Sequence, residues 1–332
     1  MIPRPDAPVT AVDVPREVVD AIGRGRSALL FAHVYPDGDV LGSQLGLGLA
    51  LRAAGRAATF ACAHAVPDPF HFLPGAADLQ QWTTGRNGFD LVVTLDCPDP
   101  ARLGGLLEGT RGPGVRVVNI DHHGDNRRYG DVNWVDTRAA ATGEMVYDLL
   151  QAAGLPLTPD VAVNLYTAIV TDTGSFRYSN TTARTLRVAA HLLEVGVDPA
   201  HVATAVYETR DLGGLRLLGQ ALQTVETDPD GSIAWLVLDR AKAESPDLPE
   251  AEEFVNYPRS LRTAKVAVLF RELPDAVKVS LRAKGEVNVA RIAASLGGGG
   301  HPNAAGLILP GGLTEAKARV LGAIREALAA RR

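Results

Sequence analysis

VRVVNIDHH, residues 115–123, is the stretch on which the fold turns. Val115, Val117, Val118 and Ile120 form a β-branched run too short for a helix, which reads as a buried strand. It ends without a spacer in Asp121, His122 and His123, residue types that hold cations or move protons. A buried strand that stops on such residues delivers them to one edge of a sheet.

The same pattern recurs upstream. SALLFAH (27–33) ends in His33, with Asp37 and Asp39 in the following turn, and DLVVTLD (90–96) ends in Asp96. RAATFACA (56–63) is a further short apolar strand, and helical patterns cover about 14–24, 40–54, 142–153, 160–171, 182–195 and 199–208. Short apolar strands alternating with helices predict an α/β fold with a parallel sheet covered on both faces. The carboxyl ends of such strands share one edge, where ligands bind. His33, Asp37, Asp39, Asp96, His122 and His123 are therefore expected together. IVTDTGSF leaves a helical pattern at Asp172 and is expected to cap the same crevice.

The remainder reads as a second domain. DLGGLRLLGQALQTVET (211–227) is expected to be a connecting helix, GSIAWLVLD (231–239) a strand, and AKVAVLFREL (264–273) with AVKVSLRAKG (276–285) a hairpin about Pro-Asp. VNVARIAASL reads as a helix, GGGGHPN as a loop, AAGLILP as a strand and LTEAKARVLGAIREALAARR as a terminal helix. The boundaries drawn are 1–205 for the first domain, 206–228 for the linker helix and 229–332 for the smaller α/β domain.

Bulk properties narrow the function. The chain has 332 residues, 46% hydrophobic, enough for a core in each domain, and a net charge of −5 that argues against a broad duplex-binding surface. Two separated cysteines, no apolar leader and no run of 18 apolar residues point to a reducing cytoplasm and no membrane span.

Asp37, Asp39, Asp96 and Asp172 would carry −4 together. Crowded carboxylates cannot all ionise without compensation, and two divalent cations supply it. Mixed carboxylate and imidazole donors suit Mn²⁺, with Mg²⁺, Fe²⁺, Co²⁺ or Zn²⁺ as alternatives. Paired cations suit an in-line phosphoryl displacement.

These motifs resemble a known family. H-x-x-P-D-G-D-x-x-G-S (33–43), the strand-end Asp96, D-H-H (121–123) and T-D-T-G-S-F-R (171–177) look like the four motifs of the DHH phosphoesterases. GGGGHPNAAG (297–306), after VSLRA, looks like the signature of the accompanying DHHA1 domain. The compact length resembles the NrnA-like branch of oligoribonucleases and 3′-phosphoadenosine-5′-phosphate (pAp) phosphatases. The resemblance implies that His33 and Asp37 bind one metal, Asp39 and His122 the other, that Asp96 bridges and that Asp172 completes the pair. It implies that Asp121 orients a neighbouring histidine and that His123 faces the substrate phosphate. Arg259, Arg282, Asn288, Gly299, Gly300 and His301 would hold the rest of the substrate, although Arg262 rivals Arg259 and Asn288 reads equally as a helix cap. Tyr35 stands where the family more often carries a small or polar residue, a departure that bears on the pocket. His64 lies in an irregular stretch, where a structural role is the default.

The implied activity is metal-dependent hydrolysis of short single-stranded RNA or DNA, two to five nucleotides long, and of pAp. Homodimerisation is compatible with the sequence. Related alternatives are a cyclic-dinucleotide or linear dinucleotide phosphodiesterase and a manganese pyrophosphatase. A non-catalytic nucleotide-binding protein would show a broken ligand set, whereas every expected position here is filled.

Overall fold

The computed structural model describes residues 13–239 and 253–330. The extreme N-terminal stretch and the last two residues of the expected terminal helix lie outside them. The chain divides into two compact units, the first ending at Thr209 and the second beginning at Arg210.

The first unit holds α1 (Arg16–Arg24), β1 (Ser27–Phe31), α2 (Gly38–Ala53), β2 (Ala57–Cys62), β3 (Gln80–Gln81), β4 (Leu91–Leu95), β5 (Arg116–Asp121), β6 (Val132–Val135), α3 (Thr142–Ala153), α4 (Pro159–Asp172), α5 (Ala183–Val195) and α6 (Pro199–Tyr207). Its six strands are all parallel, in the order β3-β2-β1-β4-β5-β6. Successive strand residues divide between two apolar layers. Leu30, Phe60, Val93 and Val118 join one, while Leu29, Phe31, Ala61, Val92 and Val117 join the other. Both sheet faces are thus covered, which is why the inner strands β1, β4 and β5 are buried along nearly their whole length. β3 and β6 were not expected: QQ is too short to show a pattern, and VNWV is an edge strand with only alternate residues buried.

Chain order reverses between β1 and β4. Such a reversal opens a crevice beyond the strand ends, because the following loops diverge to opposite sides. His33 follows β1 and Asp96 follows β4, so the two flank it.

α2 is buried almost all round. Its buried Gln44 donates through Nε2 to Leu30 O at 2.7 Å and Ala61 O at 3.0 Å, tying the helix to β1 and β2. Gly38, Gly42 and Gly46 form a stripe against α4. A Cβ at Gly42 would meet Asn164 O at 2.3 Å, and one at Gly38 would meet Thr171 Oγ1 at 2.5 Å. This contact brings the start of α2, bearing Asp39, to the end of α4, bearing Asp172.

The second unit holds α7 (Leu212–Leu222), β7 (Glu226–Thr227), β8 (Ile233–Leu238), α8 (Asn256–Ser260), β9 (Val266–Glu272), β10 (Ala276–Ala283), α9 (Val289–Ser295), β11 (Gly299–His301), β12 (Ala304–Pro310) and α10 (Leu313–Ala329). The sheet order is β11-β12-β10-β9-β8-β7, with only β8 and β9 parallel. The helix expected up to residue 227 ends at Leu222, and Glu226–Thr227 pairs with β8 instead. The loop expected over 297–303 is corrected in part, since Gly299–His301 pairs with β12. A Cβ at Gly298 would meet Gly306 O at 2.3 Å, and one at Gly300 would meet Ala304 O at 2.6 Å. Glycine permits this close pairing, and glycine is also what made the segment read as a loop. Among the described residues no helix is long and apolar enough to cross a membrane.

Candidate active site

Six side chains from five segments converge beyond the ends of β1, β4 and β5. His33 Nε2 lies 3.9 Å from Asp37 Oδ2 and 3.7 Å from Asp96 Oδ2. His122 Nε2 lies 3.5 Å from Asp39 Oδ2, 3.3 Å from Asp96 Oδ1 and 3.7 Å from Asp172 Oδ2. Asp96 therefore presents one oxygen to each histidine.

These separations are long for hydrogen bonds. They suit donors that each stand about 2.1 Å from a shared cation. His33 Nδ1 donates to Val34 O at 2.8 Å and His122 Nδ1 to Ala139 O at 3.1 Å, because a carbonyl can only accept. Each ring then turns an Nε2 lone pair toward the carboxylates, the arrangement of metal-binding histidines. His33, Asp37 and Asp96 make one group whose donor atoms lie within 4.8 Å of one another, and Asp39, His122 and Asp172 make a second. The residues present thus fit two cations sharing Asp96.

Local structure fixes each donor. Asp37 caps α2, its Oδ1 accepting from Val40 N at 3.1 Å, so its other oxygen faces His33. Asp39 is buried and accepts three bonds: Thr142 N at 2.7 Å, Gly143 N at 2.9 Å and Ser43 Oγ at 3.1 Å. Two of those donors are the first amides of α3, so Asp39 caps a helix far away in sequence and faces its positive end. Asp96 has φ of 51°. The other non-glycine residues with positive φ among those described are Tyr35, Arg128, Ser175 and Phe176. All stand within or just beyond the motif segments, as expected where strain is kept for function.

Electrostatics follow from burial and crowding. Burial and then the Asp96 charge push the Asp39 carboxyl well above its ordinary range. The same two causes lift Asp172 to about 6. For Asp96, burial opposes ionisation, but the facing His122 and His33 imidazoles, with His123 beyond them, outweigh it and hold the group well below the usual range. His122 is raised well above its ordinary value: burial opposes its charge, and Asp96, Asp172 and Asp39 overcome that. Crowded carboxylates thus favour protons on Asp39, Asp172 and His122, and a cation bound among them would compete with those protons.

Asp121 is fully buried and stands beside Asp96 and His123, in neither of the two groups above. Its Oδ1 accepts from His123 Nδ1 at 2.7 Å and from His122 N at 2.9 Å. Burial opposes a proton on His123, and Asp121 overrides that and raises its affinity. Asn126 Nδ2 donates to the other Asp121 oxygen and to Asn119 Oδ1.

The residues expected to hold substrate lie in the second unit. Asn288 caps α9, its Oδ1 accepting from Arg291 N at 3.1 Å. Arg259 Nε donates to Ala283 O at 3.2 Å and Arg282 Nη1 to Leu281 O at 3.0 Å. Gly299, Gly300 and His301 form β11.

Sequence reasoning missed several supporting residues. Thr142 Oγ1 donates to Asp96 Oδ1 at 3.0 Å. Asn180 Nδ2 donates to Ala140 O at 2.9 Å and Asp172 O at 3.1 Å. Glu144 Oε2 accepts from Ala140 N at 3.1 Å, and Arg184 bonds both Glu144 and Asp148. Polar residues opening the helix at TGEM were a signal for such a role. Thr142→Val should weaken metal binding about tenfold, the usual scale for losing a partner of a ligand, with Thr142→Ser restoring it. Calorimetric titration of the metal-stripped protein with Mn²⁺ checks this.

Residues 27–169 match the DHH family, N-terminal domain, and residues 237–330 match the DHHA1 domain. The bifunctional oligoribonuclease and PAP phosphatase NrnA of Thermus thermophilus is 40% identical over 302 residues, covering 89% of this chain and 88% of that protein. The chain belongs to the DHH phosphoesterase family. The family resemblance read from the motifs is borne out across both units. The Bacillus subtilis protein of the same description is 31% identical over 295 residues, covering 87% of this chain and 91% of that one. Among solved structures, an exopolyphosphatase-related protein from Bacteroides fragilis aligns with a TM-score of 0.83 at 26% identity, covering 94% of each chain. RecJ of Thermus thermophilus, solved in complex with Mn²⁺, shares the fold at a TM-score of 0.53 and 18% identity, covering 96% of this chain and 56% of that one.

Proposed function

We propose that this DHH-family protein hydrolyses short single-stranded oligonucleotides to mononucleotides and pAp to AMP, in the cytoplasm, with two Mn²⁺ ions. The observation that carries this is the pair of donor groups joined through Asp96, whose oxygens stand 3.7 Å from His33 and 3.3 Å from His122. The activities named for the Thermus and Bacillus relatives supply the substrate class.

Two divalent cations, when bound, supply Lewis acidity at phosphorus and lower the pKa of the attacking water. His33, Asp37 and Asp96 would hold one, and Asp39, Asp96, His122 and Asp172 the other. His123 keeps Nδ1 on Asp121, which orients the ring, and its Nε2 is proposed to donate to a phosphate oxygen or the leaving oxygen. Asp121 keeps the ring oriented and stabilises its charge. Arg259, Arg282, Asn288, Gly299, Gly300 and His301 are proposed to hold the substrate's remaining phosphate and sugar. Asn288 spends Oδ1 on its helix cap, so its amide nitrogen is the atom offered to a sugar oxygen.

Initial rates with Mn²⁺ on a 5′-labelled dinucleotide, pAp, a long single strand and pyrophosphate test the reading. The dinucleotide and pAp should exceed the long strand by at least about tenfold, equivalent to about 1.4 kcal/mol in the barrier. Metal stripping should abolish turnover and Mn²⁺ restore it. Hydrolysis of pyrophosphate alone would overturn the assignment.

A further inference from the structure

The loop between His33 and Asp37 carries a residue that metal binding does not use. Tyr35 has φ of 54° and is 74% exposed, the most exposed large apolar or aromatic side chain among those described. A bulky side chain in the left-handed region costs about 1 kcal/mol or more, and burial of this ring does not repay it. The conformation is instead held by His64, which follows β2 next to β1 in the sheet. Tyr35 N donates to His64 Nδ1 at 3.1 Å, and the two rings meet edge to face with centroids 4.3 Å apart at 81°. An imidazole thus fixes both the backbone and the ring of Tyr35 while most of that ring meets solvent.

Position does the rest. Tyr35 is two residues from each of two candidate ligands, and consecutive Cα atoms are 3.8 Å apart, so its Cα lies within about 7.5 Å of both theirs. The residue therefore stands at the carboxyl edge of the sheet, within a side chain's reach of the place proposed for the scissile phosphate. A phosphoester lying there carries its sugar and base outward.

We propose that Tyr35, braced by His64, is a stacking platform for the nucleobase of the nucleotide whose phosphate lies on the His33–Asp37 group. This rests on the proposed function and deepens it, because it makes the site a reader of nucleotides rather than of bare phosphoesters. Stacking is sequence-tolerant, since every base has a π face, so the platform would discriminate base from no base. Its worth per base, about 1–3 kcal/mol, corresponds to roughly 5- to 150-fold in affinity.

The test compares pAp with its base-free analogue, ribose 3′,5′-bisphosphate, in the Mn²⁺-loaded protein. Tyr35→Asn removes the ring while suiting the left-handed backbone, and Tyr35→Phe keeps the ring. Tyr35→Asn should raise KM for pAp and lower the ratio of kcat/KM for pAp over the analogue about tenfold, with Tyr35→Phe restoring it. Calorimetry with AMP and ribose 5-phosphate gives a readout independent of turnover. The wild type should prefer AMP about tenfold, and Tyr35→Asn should lose that preference. Equal preference in wild type and Tyr35→Asn, or a Tyr35→Phe variant as impaired as Tyr35→Asn, would overturn the platform. Wild-type protein that binds AMP by this pattern yet cleaves neither pAp nor a dinucleotide would instead refute the proposed reaction.

Discussion

Asp96→Asn should lower kcat/KM on a dinucleotide by at least about three orders of magnitude, or about 4 kcal/mol. The side chain turns Oδ2 to the His33 side and Oδ1 to the His122 side, so it faces both donor groups. An amide keeps the volume but removes a charge and places a donor where one of the two cations needs an acceptor. Thr142 Oγ1 already occupies part of Oδ1, which limits how far the new side chain can turn. Metal stoichiometry by elemental analysis should fall from two to one or fewer, and the rise in melting temperature on adding Mn²⁺ should shrink in parallel. Two bound ions together with activity within tenfold of wild type would show that Asp96 does not bridge.

The elements legible in the sequence share one trait: their burial pattern is local. β4 and β5 are short, mostly β-branched and apolar runs, and α3 begins and ends where its periodicity predicts, at Thr142 and Ala153. Strand-end placement of His33, Asp96 and Asp121–His123 was equally readable, because a strand's last residue faces the edge whatever its neighbours are. Strand order was not readable, since it depends on how helices pair across the sheet, and with it went the position of the reversal between β1 and β4. Thr142 escaped because its partners, Asp39 and Asp96, are 103 and 46 residues away. A hydroxyl opening a helix normally caps its own helix, and here a distant carboxylate does so. β11 escaped because glycine carries no strand preference, and only the nearness of β12 reveals why three residues there pair. Tyr35 was visible as an oddity of sequence, and its exposure and its hold on His64 are properties of the folded loop.

Gly42→Val should cost about 3 kcal/mol of stability through overpacking, and should also slow turnover. An added Cβ would stand 2.3 Å from Asn164 O, 2.9 Å from Ala168 Cβ and 3.0 Å from Ala168 N. Two of these atoms belong to the backbone of α4, so no side-chain rotation relieves the clash and the helices must part. Their separation would move Asp39 relative to Asp172, the carboxylates that share His122 across distances of 3.5 and 3.7 Å. A misplacement of about 1 Å in such a set costs roughly 100-fold in rate. Gly23→Ala in α1 is the control: no atom lies within 4 Å of its added Cβ, so it should gain the alanine helix preference of about 0.8 kcal/mol. Thermal unfolding with and without Mn²⁺, alongside dinucleotide hydrolysis, reads both effects. Gly42→Val should melt lower in each condition and gain less from the metal than wild type does. If it melts like wild type and hydrolyses at the same rate, the α2–α4 contact does not set the spacing of the ligands.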